Sequence, residues 1–147
     1  MTIDIRVLRS EDAPVLDRIA PGVFDDPIIA TSANKFLNDP HHHLVVATEN
    51  DTVVGFASAV HYVHPDKQHP ELWINEVGVA PTHQSRGIGK GLMHAMLRIA
   101  EELGCTEAWV LTERTNIAAT RLYQSSGGRE GSDNVVMFTF PLPPTGR

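Results

Sequence analysis

Between Val77 and Met93 the chain reads VGVAPTHQSRGIGKGLM, a stretch in which the apolar pattern of a strand gives way to that of a helix. Ile88, Leu92, Ala95, Met96, Ile99 and Leu103 recur at three and four, which predicts a helix with one buried stripe, closed by Gly104. Glycine in or beside a helix costs roughly 1 kcal/mol relative to alanine, so Gly87 and Gly89 at the helix start need a reason. A ligand lying against the backbone is one.

The rest of the chain supplies further strands and helices. IDIRVLR alternates as a strand, and Ser10 offers an N-cap to a helix through EDAPVLDRIA, with Glu11 and Asp12 in its first turn. A second helix runs through IIATSANKFLND and stops at Asp39-Pro40. HLVVATE and TVVGFASAVHYV flank Asn50-Asp51 and read as an antiparallel hairpin. ELWINEVGVA is a strand, with Gly78 marking a bulge or a close approach. TEAWVLT, NIAATRLYQSS and NVVMFTF then read as strand, helix and last strand, with Gly127-Gly128 ending that helix and a frayed tail after the strand. The reading is α/β: one domain over residues 1–147, built on a central mixed, twisted sheet of six to seven strands with helices on both faces.

Composition narrows the function. At 147 residues and 41% apolar the chain closes one core. With neither an apolar run of membrane length nor a signal-like N-terminus, a cytoplasmic protein without a membrane span is expected. A formal charge of −6 argues against a nucleic-acid partner and suits a cationic small molecule. Cys105 is the only cysteine, so no internal disulfide can form, and its setting suggests packing rather than catalysis. The eight histidines, HHH at His41 to His43 among them, lack the cysteine or acid cluster of a metal site, and no metal is expected. Trp73 and Trp109 read as core packing.

A helix N-terminus carries unpaired N–H groups and about half a positive charge. Phosphate can sit there if no side chain blocks the approach, which suits Gly87 and Gly89, with Arg86 and Lys90 adding charge. The spacing is neither the dinucleotide fingerprint nor a nucleotide P-loop. On these residues alone, a phosphate site and a plain tight turn both remain open.

Gln84 to Gly89, QSRGIG, resembles the Gln/Arg-x-x-Gly-x-Gly/Ala motif of the GNAT N-acetyltransferases. NEVGVAP is similar to that family's fourth strand. NIAATRLYQSSGG resembles its Asn-x-x-Ala-x-x-Leu-Tyr motif through Asn116, Ala119, Leu122 and Tyr123. The resemblance spans essentially the whole chain and implies acetyl-coenzyme A as co-substrate. It places the pyrophosphate on Gln84, Ser85, Arg86, Gly87, Ile88, Gly89 and Lys90. The pantetheine arm and thioester fall to Val77, Gly78, Val79, Asn116, Ala119 and Tyr123. Within the family the chain is similar to the small aminoglycoside 3-N-acetyltransferase branch, in the acid at Glu76, in Gly128 where most relatives carry an aromatic residue, and in an acidic turn before the last strand.

Glu76 lies mid-strand among apolar residues, which is costly unless the carboxylate is paired or lines a wet cleft. The resemblance makes it the proton acceptor or cation anchor for the substrate amine and makes Tyr123 the acid that protonates the leaving thiolate. Asn75, Glu76, Glu130 and Asp133 are the expected acceptor contacts, and the histidine-rich loop HPDKQHP is placed to rim the same site. The expected activity is direct acetyl transfer to a primary amine of a small cationic acceptor such as an aminoglycoside or polyamine. Acetylation of a protein lysine or N-terminus, or coenzyme binding without catalysis, are the alternatives. NVVMFTF, apolar on both faces, suggests a homodimer edge.

Overall fold

A computed structural model of the chain describes residues 2–145. In order it contains β1 (Asp4–Val7), a 3-10 helix (Ser10–Asp17), α1 (Ala30–Asn38), β2 (His42–Glu49) and β3 (Thr52–Tyr62). β4 (Glu71–Val79), a 3-10 turn (Pro81–His83), α2 (Ile88–Glu102), β5 (Glu107–Val110) and α3 (Ile117–Ser125) follow. The strands form one mixed sheet in sequence order, antiparallel from β1 to β4 and parallel between β4 and β5. Asn50 and Asp51 take φ of 51° and 62°, the left-handed geometry that a tight hairpin between β2 and β3 requires.

Two apolar layers close the sheet. On one face Leu92, Met96 and Ala100 of α2 pack on Val45, Ala57, Ala59, Leu72 and Ile74, with Leu122 and Tyr123 of α3 at the margin. On the other, Leu8 just after β1, Leu16 of the 3-10 helix, and Phe36 and Leu37 of α1 cover Leu44, Val46, Val53 and Phe56. No helix among the described residues is long and apolar enough to cross a membrane.

Three expectations are corrected. Among the described residues the sheet has five strands, not six to seven. NVVMFTF pairs with no strand among the described residues, and Val135, Val136, Met137, Phe138, Phe140 and Leu142 are 69–83% exposed. Apolar on alternate sides, such a strand needs cover on both, and the helices are spent on the layers just described. The segment after β1 is a 3-10 helix capped at Arg9, not an α-helix capped by Ser10. Pro14 inside it has no N–H to give, Asp12 accepts from the Arg9 N–H at 2.9 Å, and the Ser10 hydroxyl turns to Glu11. Trp73, 37% exposed, stacks on Trp109 with ring centroids 5.0 Å apart on the outer face rather than in the core.

Candidate active site

The register of β4 decides where its acid points. Ser58 opposes Glu76 and Ala59 opposes Ile74, so Asn75 is an extra residue, a β-bulge. Leu72 and Ile74 are buried under α2, whereas beyond the bulge it is Val77 and Val79 that pack there. The parity of the strand has flipped, and Asn75 and Glu76 are both exposed on the opposite face. The irregularity expected at Gly78 sits three residues earlier. Gly78 instead serves a close approach: a Cβ there would lie 2.5 Å from the Val23 carbonyl oxygen and 2.8 Å from the Phe56 ring.

β4 pairs with β5 only from Glu71 to Ile74, so the strands part at the bulge and the β5-facing edge beyond it has no strand partner. A cleft of about 240 Å³ opens there and brings together Asn75, Glu76, Val77, Gly78, Asn116, Ala119 and Tyr123. Asn116 caps α3, its Oδ1 accepting the Ala119 N–H at 3.0 Å. Neither the Glu76 carboxylate nor the Tyr123 hydroxyl makes a hydrogen bond among the described residues, so both are free for a ligand. Burial raises the Tyr123 phenol above its ordinary range, which keeps it protonated at neutral pH and able to donate.

The other end of the site is the start of α2. Gly87 is its N-cap, with φ 80° and open space where a Cβ would be, so the amides of Ile88, Gly89 and Lys90 face outward without a side-chain cap. Gly89 has a different reason: a Cβ there would meet Leu122 Cδ2 at 3.1 Å. Its missing side chain seats α3 against α2 and so sets Tyr123 beside the helix start. Ser85 is left-handed at φ 62°, and the Gln84 side-chain amide donates to the Val79 carbonyl at 3.4 Å. Lys90 has no ion pair among the described residues, while Arg86 donates to Glu49 at 3.3 Å.

Glu130 is bound to Arg114 at 2.7 Å and Asp133 lies in the turn before the C-terminal segment; neither lines the cleft. The cleft's second acid is Asp25, which sequence reading missed, with Val23, Phe56, Leu111 and Thr112 around it. Asp25 sits in a loop without periodicity; only the pair Asp25-Asp26 hinted at it. A larger hollow of about 500 Å³, also lined by Asp17 and Asp26, shares Asp25 with the cleft. The histidines stand elsewhere: His43 of β2 meets His61 of β3 at 2.7 Å, and His64, in the loop after β3, meets Glu71 at 2.8 Å. Cys105 is half-buried, its thiol pushed up by burial, and is not part of the cleft.

The model of the acetyltransferase (GNAT) family matches residues 8–127. Among curated proteins the chain is 36% identical to the N-alpha-acetyltransferase RimI of Mycobacterium tuberculosis, over 71% of this chain and 63% of that protein. It is 26% identical to an aminoglycoside N(6')-acetyltransferase of Salmonella typhimurium, over 80% of this chain and 82% of that one. The chain thus spans less than two thirds of the length of the mycobacterial relative. Among solved structures, an aminoglycoside acetyltransferase from an uncultured soil metagenomic sample, in complex with sisomicin, superposes with a TM-score of 0.83 at 22% identity. That match covers 96% of this chain and 97% of that one.

Proposed function

Because the chain belongs to the acetyltransferase (GNAT) family, we propose that it moves an acetyl group from acetyl-coenzyme A directly to a primary amine of a small cationic acceptor. The observation that carries this reading is the meeting of two carboxylates and one protonated phenol, Glu76, Asp25 and Tyr123, in the cleft where β4 leaves β5. The outward amides of α2 and the charges of Arg86 and Lys90 suit a diphosphate, and the free β4 edge suits the amide-bearing pantetheine arm. Asp25, Asp17 and Asp26 extend the negative lining into the neighbouring hollow, which favours an acceptor with more than one positive charge.

Glu76 takes one proton from the substrate ammonium and passes it to solvent. The neutral nitrogen attacks the thioester carbonyl carbon, whose oxygen is stabilised by backbone N–H groups of the Val77–Val79 segment. The C–S bond then breaks, Tyr123 gives its proton to the departing thiolate, and the second proton of the amine restores the phenol. No covalent acyl-enzyme is required. The names of the aminoglycoside relatives support the small-molecule reading, with the Salmonella protein named for the 6' nitrogen rather than the 3 position. The mycobacterial relative supports a second reading, acetylation of a protein N-terminus. For assembly, the exposed apolar segment from Val135 to Leu142 and the outer edge of β5, unpaired among the described residues, support a homodimer.

Thiol release from acetyl-coenzyme A, measured over a panel of aminoglycosides, polyamines, neutral amines and peptides with free N-termini, tests the reading. Polycations should lead, and Glu76→Gln should lower their turnover. Peptides in the lead would move the function to protein acetylation, and no thiol release with any amine would leave a coenzyme-binding module.

A further inference from the structure

A carboxylate beside a diphosphate site is an electrostatic puzzle, and β2 ends in one. Glu49 is 11% exposed, and its two oxygens are divided between two partners from the loop that precedes α2. Oε1 lies 2.9 Å from His83 Nε2, and Oε2 accepts from Arg86 Nη2 at 3.3 Å. The other ring nitrogen of His83 meets the Thr82 hydroxyl at 2.8 Å, so the imidazole is held at both ends. His83 and Arg86 stand on either side of left-handed Ser85 in a loop whose residues Gln84 to Gly87 are all exposed. Besides the Gln84 contact to Val79, these are the side-chain hydrogen bonds that fasten the loop among the described residues. Glu49 engages Arg86 through one Nη, and a guanidinium has five N–H donors, so others remain to face a ligand.

We propose that Glu49 is a positioning residue for the donor: by gripping His83 and Arg86 it fixes the loop so that the guanidinium and the first amides of α2 face one diphosphate. The proposal rests on the reading that this end of the site holds the diphosphate of acetyl-coenzyme A. Ordering the loop before the ligand arrives lowers the entropy lost on binding. Simple charge arithmetic predicts the opposite sign, because removing an acid near a polyanion should tighten binding. The two accounts therefore separate cleanly.

The experiment compares wild type with E49A and E49Q, using acetyl-coenzyme A and S-acetylpantetheine, a donor that lacks the diphosphate, with the best amine of the panel. For E49A, calorimetric Kd for coenzyme A and KM for acetyl-coenzyme A should rise about tenfold while kcat stays within about twofold. E49Q should fall between, and kcat/KM with S-acetylpantetheine should be unchanged in both. A thermal melt confirms that each variant is folded. Unchanged or tighter coenzyme binding by folded E49A overturns the proposal, as does an equal loss with both donors. A wild type that uses both donors alike overturns the diphosphate reading beneath it, a result distinguishable from failure of Glu49 alone.

Discussion

Replacing Gly78 by alanine adds one methyl group at the most crowded point of the cleft wall. Its φ is not left-handed, so the cost is steric and not conformational. The new Cβ would lie 2.5 Å from the Val23 carbonyl oxygen, about 0.9 Å short of the 3.4 Å where ordinary contact begins, and 2.8 Å from Phe56 Cε1. Val23 and Phe56 are 4% and 3% exposed, and the Phe56 ring stacks on Phe24 at 4.0 Å, so the strain is relieved by displacement towards the cleft that both line. Overpacking of this kind costs about 1–3 kcal/mol. Alanine regains about 0.5–1 kcal/mol through the lower entropy of its unfolded chain. The net loss is about 0–2.5 kcal/mol, centred on about 1 kcal/mol, which for a domain of this size lowers Tm by roughly 3–5 °C. Because Val23 and Phe56 line the cleft, KM for the amine should rise with it. The control is Gly91→Ala in α2, where a Cβ meets Ile5 at 3.4 Å, an ordinary contact. There the helix preference for alanine should raise Tm instead. Calorimetric melting and steady-state kinetics of the two variants decide the matter. A Gly78→Ala protein with undiminished Tm and amine KM would refute the steric reasoning.

Tyr123→Phe should lower kcat about a hundredfold with coenzyme Kd little changed, since only the proton donor is lost; equal single-turnover rates across pH would assign the proton to water. His43 is half-buried against His61, and burial, followed by the charges of His61, His42 and His41, lowers its pKa from 6.5 to about 4. A depressed folded pKa contributes stability that is present above 6.5 and lost as pH falls towards 4. The urea midpoint of wild type should thus fall more between pH 7 and 4.5 than that of His43→Leu, and parallel pH profiles would show that His43 charges without penalty. The homodimer should appear in sedimentation at micromolar concentration and weaken in Phe138→Lys; a monomer at every concentration would end that proposal.

Much of this was legible because the informative signals are local. Gln84 to Gly89 and Asn116 to Tyr123 are short motifs whose residues lie close together along the chain, and the helical period of α2 is unbroken. What escaped depends on distant partners. Glu49 acquires its role from His83 and Arg86, 34 and 37 residues away, and nothing around Glu49 announces it. Asp25 enters the cleft because Gly78 admits the Val23 backbone, a contact across three elements. The missing side chain of Gly89 also makes a seat for Leu122, which only the packing of α3 on α2 reveals. The β-branched and aromatic run NVVMFTF spells a strand as propensity, yet a strand is a property of pairs and this one lacks a mate among the described residues. The bulge was encoded, though: in LWINEVGV the apolar positions run 72, 74, then 77, 79, and the skipped beat is Asn75.

That skipped beat ties inheritance of the fold to inheritance of the chemistry. With Asn75 in place, straightening the bulge into a regular strand would bring Glu76 under α2 and turn Val77 and Val79 out to water. Burying an unpaired carboxylate costs several kcal/mol, and exposing two valines about 1.5–3 kcal/mol each, against a total stability of about 5–15 kcal/mol. Selection for a folded chain therefore keeps the strand bulged at Asn75 before any test of activity. On the proposed reading the offset that turns Glu76 outward should be among the last features to drift across divergence, while Asp25 and Asp26, exposed beside core residue Val23, remain free to retune which amine is accepted.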